Sequence, residues 1–164
     1  MKKLLFISTM SALLLASCGE AEKPIPKNET IEYPTPKVSE EVQWQDEITK
    51  LASNSESSVD KFYALEKLLM EYKATNAEVK EFSTYIVDDY KSGSYLSEID
   101  NHERMLSNIF KSYYVEKNSE GALKDFASDY FQNMKYTYRD VDTVDSEAVK
   151  SNEEQMNEAI KQIK

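Results

Sequence analysis

Proline and glycine are distributed very unevenly along this 164-residue chain, and their distribution limits the possible folds. All four prolines lie in the segment 20–38, and the only glycines after it are Gly93 and Gly121. Sheet proteins need many turns, and turns use glycine and proline heavily. The remaining segment, 39–164, is long enough to bury a core of its own. We therefore predict an all-α domain there, a single bundle of about five to six helices.

Apolar side chains recur at helical spacing in six stretches of the segment 39–164. The expected helices cover about 39–52, 58–73, 76–91, 94–117, 120–135 and 146–163. Thr75 and Glu78 fit a capping box at the start of the third helix, and Gly93 suits a left-handed stop after it. Asp145 is the expected cap of the last helix, whose weak apolar stripe indicates a peripheral position. Stripes of this width bury one helix face each, which is typical of an antiparallel bundle.

The proline segment precedes this domain. Its residues 19–38 alternate proline with charged side chains and have no apolar periodicity, which is typical of a disordered, Pro-rich tether. In a polyproline II conformation, at about 3.1 Å per residue, such a segment would extend for about 60 Å. We therefore divide the chain at residue 38, with the tether before it and the helical domain after it.

The first 18 residues have the composition of a secretory signal. Two lysines precede an apolar run, 4–16, that is shorter than the roughly 20 residues of a membrane-spanning helix. The run ends in Leu15-Ala16-Ser17-Cys18, which resembles the lipobox of bacterial lipoproteins. A buried N-terminal helix ending in a buried cysteine is the alternative, but nothing around it supplies a partner face.

The lipobox resemblance implies cleavage before Cys18, removal of residues 1–17 as a signal peptide, and attachment of a diacylglyceryl group to Cys18. Two acyl chains, at about 0.8 kcal/mol per buried CH2, anchor a protein durably. The expected location is therefore the outer face of a bacterial cell membrane, with Cys18 as the lipidation site. Because Cys18 is the only cysteine, its modification leaves no thiol for a disulfide, a metal site or a nucleophile.

The formal charge of the chain is −10, and loss of Lys2 and Lys3 with the signal peptide makes it −12. An acidic body is repelled by nucleic acid, so we expect no nucleic-acid partner. A solvated acidic surface explains this charge, and attraction to a basic partner is the alternative.

Few residues offer catalytic or metal chemistry. His102, the only histidine, is expected to be a surface or half-buried helix residue, since no second histidine lies one turn away. The loop Asp140–Glu147 is rich in oxygen ligands but departs from the EF-hand pattern, and a helix cap with a solvated loop explains the same residues. We expect no cofactor, no metal and no enzymatic activity. A hydrolase using two carboxylates remains the alternative; Asp125 and Asp129 share a helix face, but nothing selects a catalytic pair.

Eleven tyrosines are many for this length, and four of them stand out. Tyr113 and Tyr114 are adjacent, and Tyr136 and Tyr138 are two apart, so a helix cannot direct all four inward. Exposed tyrosines with polar neighbours suit protein or glycan recognition. We therefore take these four residues as a candidate binding surface.

Together these features predict a lipid-anchored, non-enzymatic protein-interaction module of the bacterial cell envelope, of the accessory, exclusion or immunity type. Its expected partners are the membrane, through the anchor, and another envelope protein or an incoming protein. The comparison with small lipoproteins depends on architecture alone, since no motif after residue 38 matches a named family. The alternative is a binder of a small ligand or cell-wall fragment in a groove lined by tyrosines.

Overall fold

A computed structural model describes residues 43–163, and this part of the chain is built from six packed α-helices. They are α1 (Trp44–Ser53), α2 (Ser58–Glu71), α3 (Asn76–Lys91), α4 (His102–Asn118), α5 (Gly121–Tyr138) and α6 (Glu147–Ile160). The predicted all-α bundle is therefore confirmed. The predicted signal peptide, the predicted lipidation site Cys18, the predicted tether and the predicted start of the first helix at 39–42 lie outside the described residues.

Helix α4 lies at the centre of the bundle, where it packs against α1, α2, α3 and α5. Phe110 of α4 is fully buried; its ring stacks on Trp44 of α1 at 4.7 Å and meets Phe82 of α3 edge-on at 6.0 Å. Helix α6 packs on α5 through a short buried stripe, so its predicted peripheral position is confirmed. Rings from three helices thus meet in the core, because each amphipathic helix buries one face.

Local capping signals set several of the helix ends. The predicted capping box is present, with the Thr75 side chain accepting from the Glu78 backbone and the Glu78 side chain accepting from the Thr75 backbone. Gly93 follows α3 with φ +74°, as predicted from its freedom in the left-handed region. The prediction of Asp145 as the cap of α6 is wrong. Ser146 is the residue immediately before the first helical turn, and its hydroxyl accepts a backbone N–H there.

The predicted start of the fourth helix at Ser94 is also wrong, since α4 begins at His102. The preceding segment forms turns around Tyr95, whose side chain is buried. Arg104 reaches back from α4 and donates to the carbonyl oxygens of Ser94, at 3.1 Å, and Tyr95, at 2.9 Å. The Asn101 side chain then caps α4. In a continuous helix, these carbonyl groups would instead accept backbone hydrogen bonds within the helix.

Helix α5 continues to Tyr138, beyond the predicted end at Lys135. Thr137 and Tyr138 are both buried, so the last turn remains packed in the core. The chain leaves the helix through Asp140, which has φ +56°. Aspartate tolerates this left-handed conformation better than most residues do.

Candidate functional site

The predicted tyrosine surface is wrong for two of its four residues. Tyr114 and Tyr138 are 5% and 1% exposed, so neither is available to a partner. The Tyr114 hydroxyl donates to the carbonyls of Leu69, at 2.8 Å, and Tyr72, at 2.9 Å, at the end of α2. Burial raises the pKa of Tyr114 to about 12, which keeps this hydroxyl a donor. Tyr113 and Tyr136 are half-buried at the surface.

His102 is half-buried at the start of α4, in agreement with the prediction. Its Nδ1 lies 3.0 Å from the hydroxyl oxygen of Tyr138, and the two rings meet edge-on with their centres 5.8 Å apart. Burial raises the pKa of Tyr138 above its ordinary value. This pair links the start of α4 to the end of α5, which is a structural role for the histidine.

The acidic pair Asp125 and Asp129 lies on the side of α5 that faces α6. With Glu154 and Glu158 of α6 it lines a groove of about 600 Å³. Burial, together with the charge of Asp125, raises the pKa of Asp129 above its ordinary value. Within residues 43–163, which include the loop Asp140–Glu147, no group of three or more acidic or histidine side chains is placed to hold a metal ion.

A second, apolar groove lies between α2, α4 and α5, and we call it the aromatic groove. Its apolar walls are Phe62, Leu69 and Met70 of α2, Tyr113 of α4 and Phe131 of α5. Glu66 and Lys135 complete its lining, and its volume is about 350 Å³. Met70 is 76% exposed, and Tyr63, two turns earlier on α2, is 56% exposed. The α2 side of the groove is therefore open to solvent.

Each of the three aromatic rings in this groove has a cation over it. The pairs are Lys117 over Tyr113, Lys135 over Phe131 and Arg139 over Phe62, at 5.4, 4.9 and 4.7 Å from the ring centres. Lys135 and Arg139 also approach the ring of Tyr136, at 4.5 and 5.2 Å. Exposed cation–π contacts contribute about 0.5–1 kcal/mol each, so they hold the charges beside the groove.

A further concavity of about 360 Å³ joins the aromatic groove at Leu69 and Tyr113. The lysines that line the two concavities are Lys73, Lys117 and Lys135. Among the side chains lining them in the described part of the chain, Glu66 is the only acid. The bundle therefore has a basic, aromatic face, although the chain as a whole carries a charge of −10.

Most residues of the aromatic groove were not predicted from the sequence as a site. A signal for two of its cations was nevertheless present, because Tyr113 and Lys117, and Phe131 and Lys135, are each four residues apart. Residues at this spacing lie on the same face of a helix. The sequence could not show that α2 would complete the groove with Phe62 and Met70.

Asp89 of α3 is the centre of a polar network inside the bundle. Its Oδ1 accepts from Arg104 Nη2 at 2.7 Å, and its Oδ2 accepts from Tyr130 Oη at 2.6 Å and Asn108 Nδ2 at 3.2 Å. The Arg104 and Asp89 side chains are 16% and 12% exposed. Burial and the charge of Asp89 raise the pKa of Tyr130 well above its ordinary value. With both oxygens of Asp89 engaged, the network joins α3, α4 and α5.

Lys111 of α4 is a further half-buried charge. Its Nζ lies 3.3 Å from the ring centre of Tyr85 and 5.8 Å from that of Trp44. Burial lowers the pKa of Lys111 to about 8, and the charge of Asp89 partly opposes this shift. The ring face of Tyr85 offsets part of this cost of burial, which is a packing arrangement for the lysine.

A scan against family models and searches of the curated proteins and of the solved structures found no match. None of the helices within residues 43–163 is both long and apolar enough to span a bilayer. The residues and geometry described above are therefore the basis for a functional proposal.

Proposed function

We propose that this chain is a lipid-anchored, non-enzymatic protein-interaction module on the outer face of a bacterial cell membrane. The lipobox-like run ending at Cys18 supports the anchor and the location. The aromatic groove is the single structural observation that supports an interaction role. Its partner would be another protein of the envelope or a protein that arrives there.

The composition of the groove resembles that of protein interfaces. Aromatic residues, methionine and arginine are enriched at such interfaces, and all three kinds occur here, in Tyr113, Phe131, Met70 and Arg139. Met70 is unbranched and largely exposed, so it can adapt to an incoming side chain. An exposed apolar surface with a polar rim is a typical docking site for a protein.

A small ligand or cell-wall fragment in the same groove is the second candidate, and the cavity volume of about 350 Å³ favours it. Sugar rings bind by stacking on free aromatic faces. In this groove a cation already lies over each ring. A protein partner, whose carboxylates would meet those cations, therefore fits the groove better.

Crosslinking on intact cells, followed by mass spectrometry, tests the proposal. The native chain and a Cys18→Ala variant, expressed at equal levels, would be compared. We expect a discrete protein adduct with the native chain and its loss with the variant, because only the anchored form stays at the membrane surface. Recovery of wall fragments without a protein adduct would support the second candidate instead.

A further inference from the structure

The charge of the aromatic groove is opposite to that of the rest of the chain. The chain has 30 acidic and 20 basic side chains, yet three lysines and one glutamate line the groove and the concavity beside it. Arg139, which lies over the ring of Phe62, brings the number of cations at this face to four. A charge reversal of this kind steers an approaching molecule of negative charge to one face.

The positions of the cations define what such a molecule must carry. Lys117, Lys135 and Arg139 each lie over a ring of the groove. A carboxylate can approach the outer side of each cation while the ring stays in contact with the inner side. Between them, the exposed side chain of Met70 and the half-buried ring of Phe131 offer contact to apolar side chains. The fitting ligand is therefore apolar in the middle and acidic at its edges.

We propose, on the basis of the interaction role above, that the aromatic groove binds an acidic, amphipathic segment of a partner protein. Apolar side chains of the segment enter between Met70 and Phe131, and its carboxylates pair with Lys117, Lys135 and Arg139. Amphipathic helices commonly bind in this way, with apolar anchors spaced by three or four residues in a groove between helices.

A second copy of this chain fits the groove less well. The acidic surface formed by Asp125, Asp129, Glu154 and Glu158, which a second copy could offer to the cations, is itself a groove. Two concave surfaces cannot fill each other. An anionic lipid surface extends far beyond the groove, so it would face the net charge of the mature chain, which is −12 once Lys2 and Lys3 are lost, and repulsion opposes that approach.

Site-directed photo-crosslinking of the full lipidated chain in its own cells tests this inference. Benzoylphenylalanine would replace Met70, in the aromatic groove, or Gln155, an exposed residue of the acidic groove on α6, as the matched control. We expect a protein adduct from position 70 and none from position 155. Sequencing of the crosslinked peptide should show apolar residues flanked by at least two carboxylates.

A substitution that reverses the charge of one groove lysine supplies the second readout. With the photo-reactive residue at position 70, we expect Lys135→Glu to lower the adduct yield about tenfold, which corresponds to about 1.4 kcal/mol of affinity. Lys67→Glu makes the same change of charge at an exposed position of α2 that does not line the groove, and it should leave the yield unchanged. If Lys135→Glu lowers the melting temperature, the Lys135→Gln variant is used in its place. It should lower the adduct yield by a smaller factor, because it removes the positive charge without adding a negative one.

The outcomes separate the inference from the proposed function. An adduct formed equally at both positions, or with a neutral or basic segment, overturns the inference and leaves the interaction role in place. An adduct with a second copy of the chain, with lipid or with a wall polymer overturns the inference as well. The lack of a protein adduct at either position, together with a negative result in the Cys18→Ala comparison, overturns the proposed function itself.

Discussion

Asp88 and Asp89 are adjacent acids on α3, and we expect their replacement by alanine to have very different effects. Asp89 accepts three hydrogen bonds from α4 and α5, from Arg104, Asn108 and Tyr130. The Asp88 side chain is exposed. Asp89→Ala removes the acceptor and leaves a guanidinium group and a buried hydroxyl without their partner.

The size of the effect follows from the burial of the network. Removing one member of a buried ion pair costs about 3–5 kcal/mol, because the other charge remains without compensation. The Asp89 and Arg104 side chains are 12% and 16% exposed to solvent, so water can partly solvate the arginine after the change. We therefore expect about 3 kcal/mol, at the lower end of this range. Asp88→Ala should cost less than about 0.5 kcal/mol.

Urea unfolding, followed by far-UV circular dichroism, measures both values on the mature chain without its lipid. A loss of about 3 kcal/mol also corresponds to a fall of about 10 °C in melting temperature for a domain of this size. A domain with a typical stability of about 5–15 kcal/mol stays folded in either variant at room temperature. The two variants lose the same formal charge, so long-range electrostatics cancels in the comparison.

Equal, small effects of Asp88→Ala and Asp89→Ala would refute the network as a source of stability. A double-mutant cycle with Tyr130→Phe makes the test more specific. If the Tyr130 hydroxyl acts through Asp89, the two changes together should cost about 1 kcal/mol less than their sum. Full additivity would show that the hydrogen bond of 2.6 Å contributes nothing of its own.

Three further predictions concern other parts of the bundle. Lys61 is fully buried and donates to the carbonyl groups of Leu51 and Ala52 at the end of α1 and of Asn54 directly after it. Lys61→Met should therefore cost about 2–3 kcal/mol in urea unfolding, against less than about 0.5 kcal/mol for Lys67→Met at an exposed position. Thr75→Ala removes the capping box with Glu78 and should cost about 1 kcal/mol in the same assay; an unchanged midpoint would contradict a capping role. Burial and a neighbouring charge raise the pKa of Asp129, so the stability that it contributes is present at low pH and is lost as the pH rises through its folded pKa. Asp129→Asn should therefore stabilise the chain at about pH 7 but leave it unchanged at about pH 3, and thermal unfolding at the two pH values checks this.

The helices could be predicted because their signals are local. The capping box of Thr75 and Glu78 and the stop at Gly93 involve residues within a few positions of one another, so the sequence already contains both partners. The start of α4 could not be predicted in the same way. It depends on Arg104, which donates to the carbonyls of Ser94 and Tyr95 and so holds the preceding segment out of the helix.

The candidate site could be predicted only in part. The tyrosine pairs identified one residue of the aromatic groove, Tyr113, and one beside it, Tyr136. Tyr114 and Tyr138 have the same side chain and similar neighbours, yet they are buried. Helical periodicity separates the directions of adjacent residues, but it does not show which direction another helix will cover.

The sequence by itself determined the helical class, most helix ends and the lipobox-like run before Cys18, because these depend on composition and on contacts between near neighbours. Only the tertiary structure decided that Asp89 is half-buried in a hydrogen-bonded network while Asp88 is exposed, and that Phe62 of α2 joins Phe131 of α5 in one basic groove. The physical reason is that burial and charge pairing depend on side chains from other helices. Those side chains come together only when the apolar faces of the helices pack into one core.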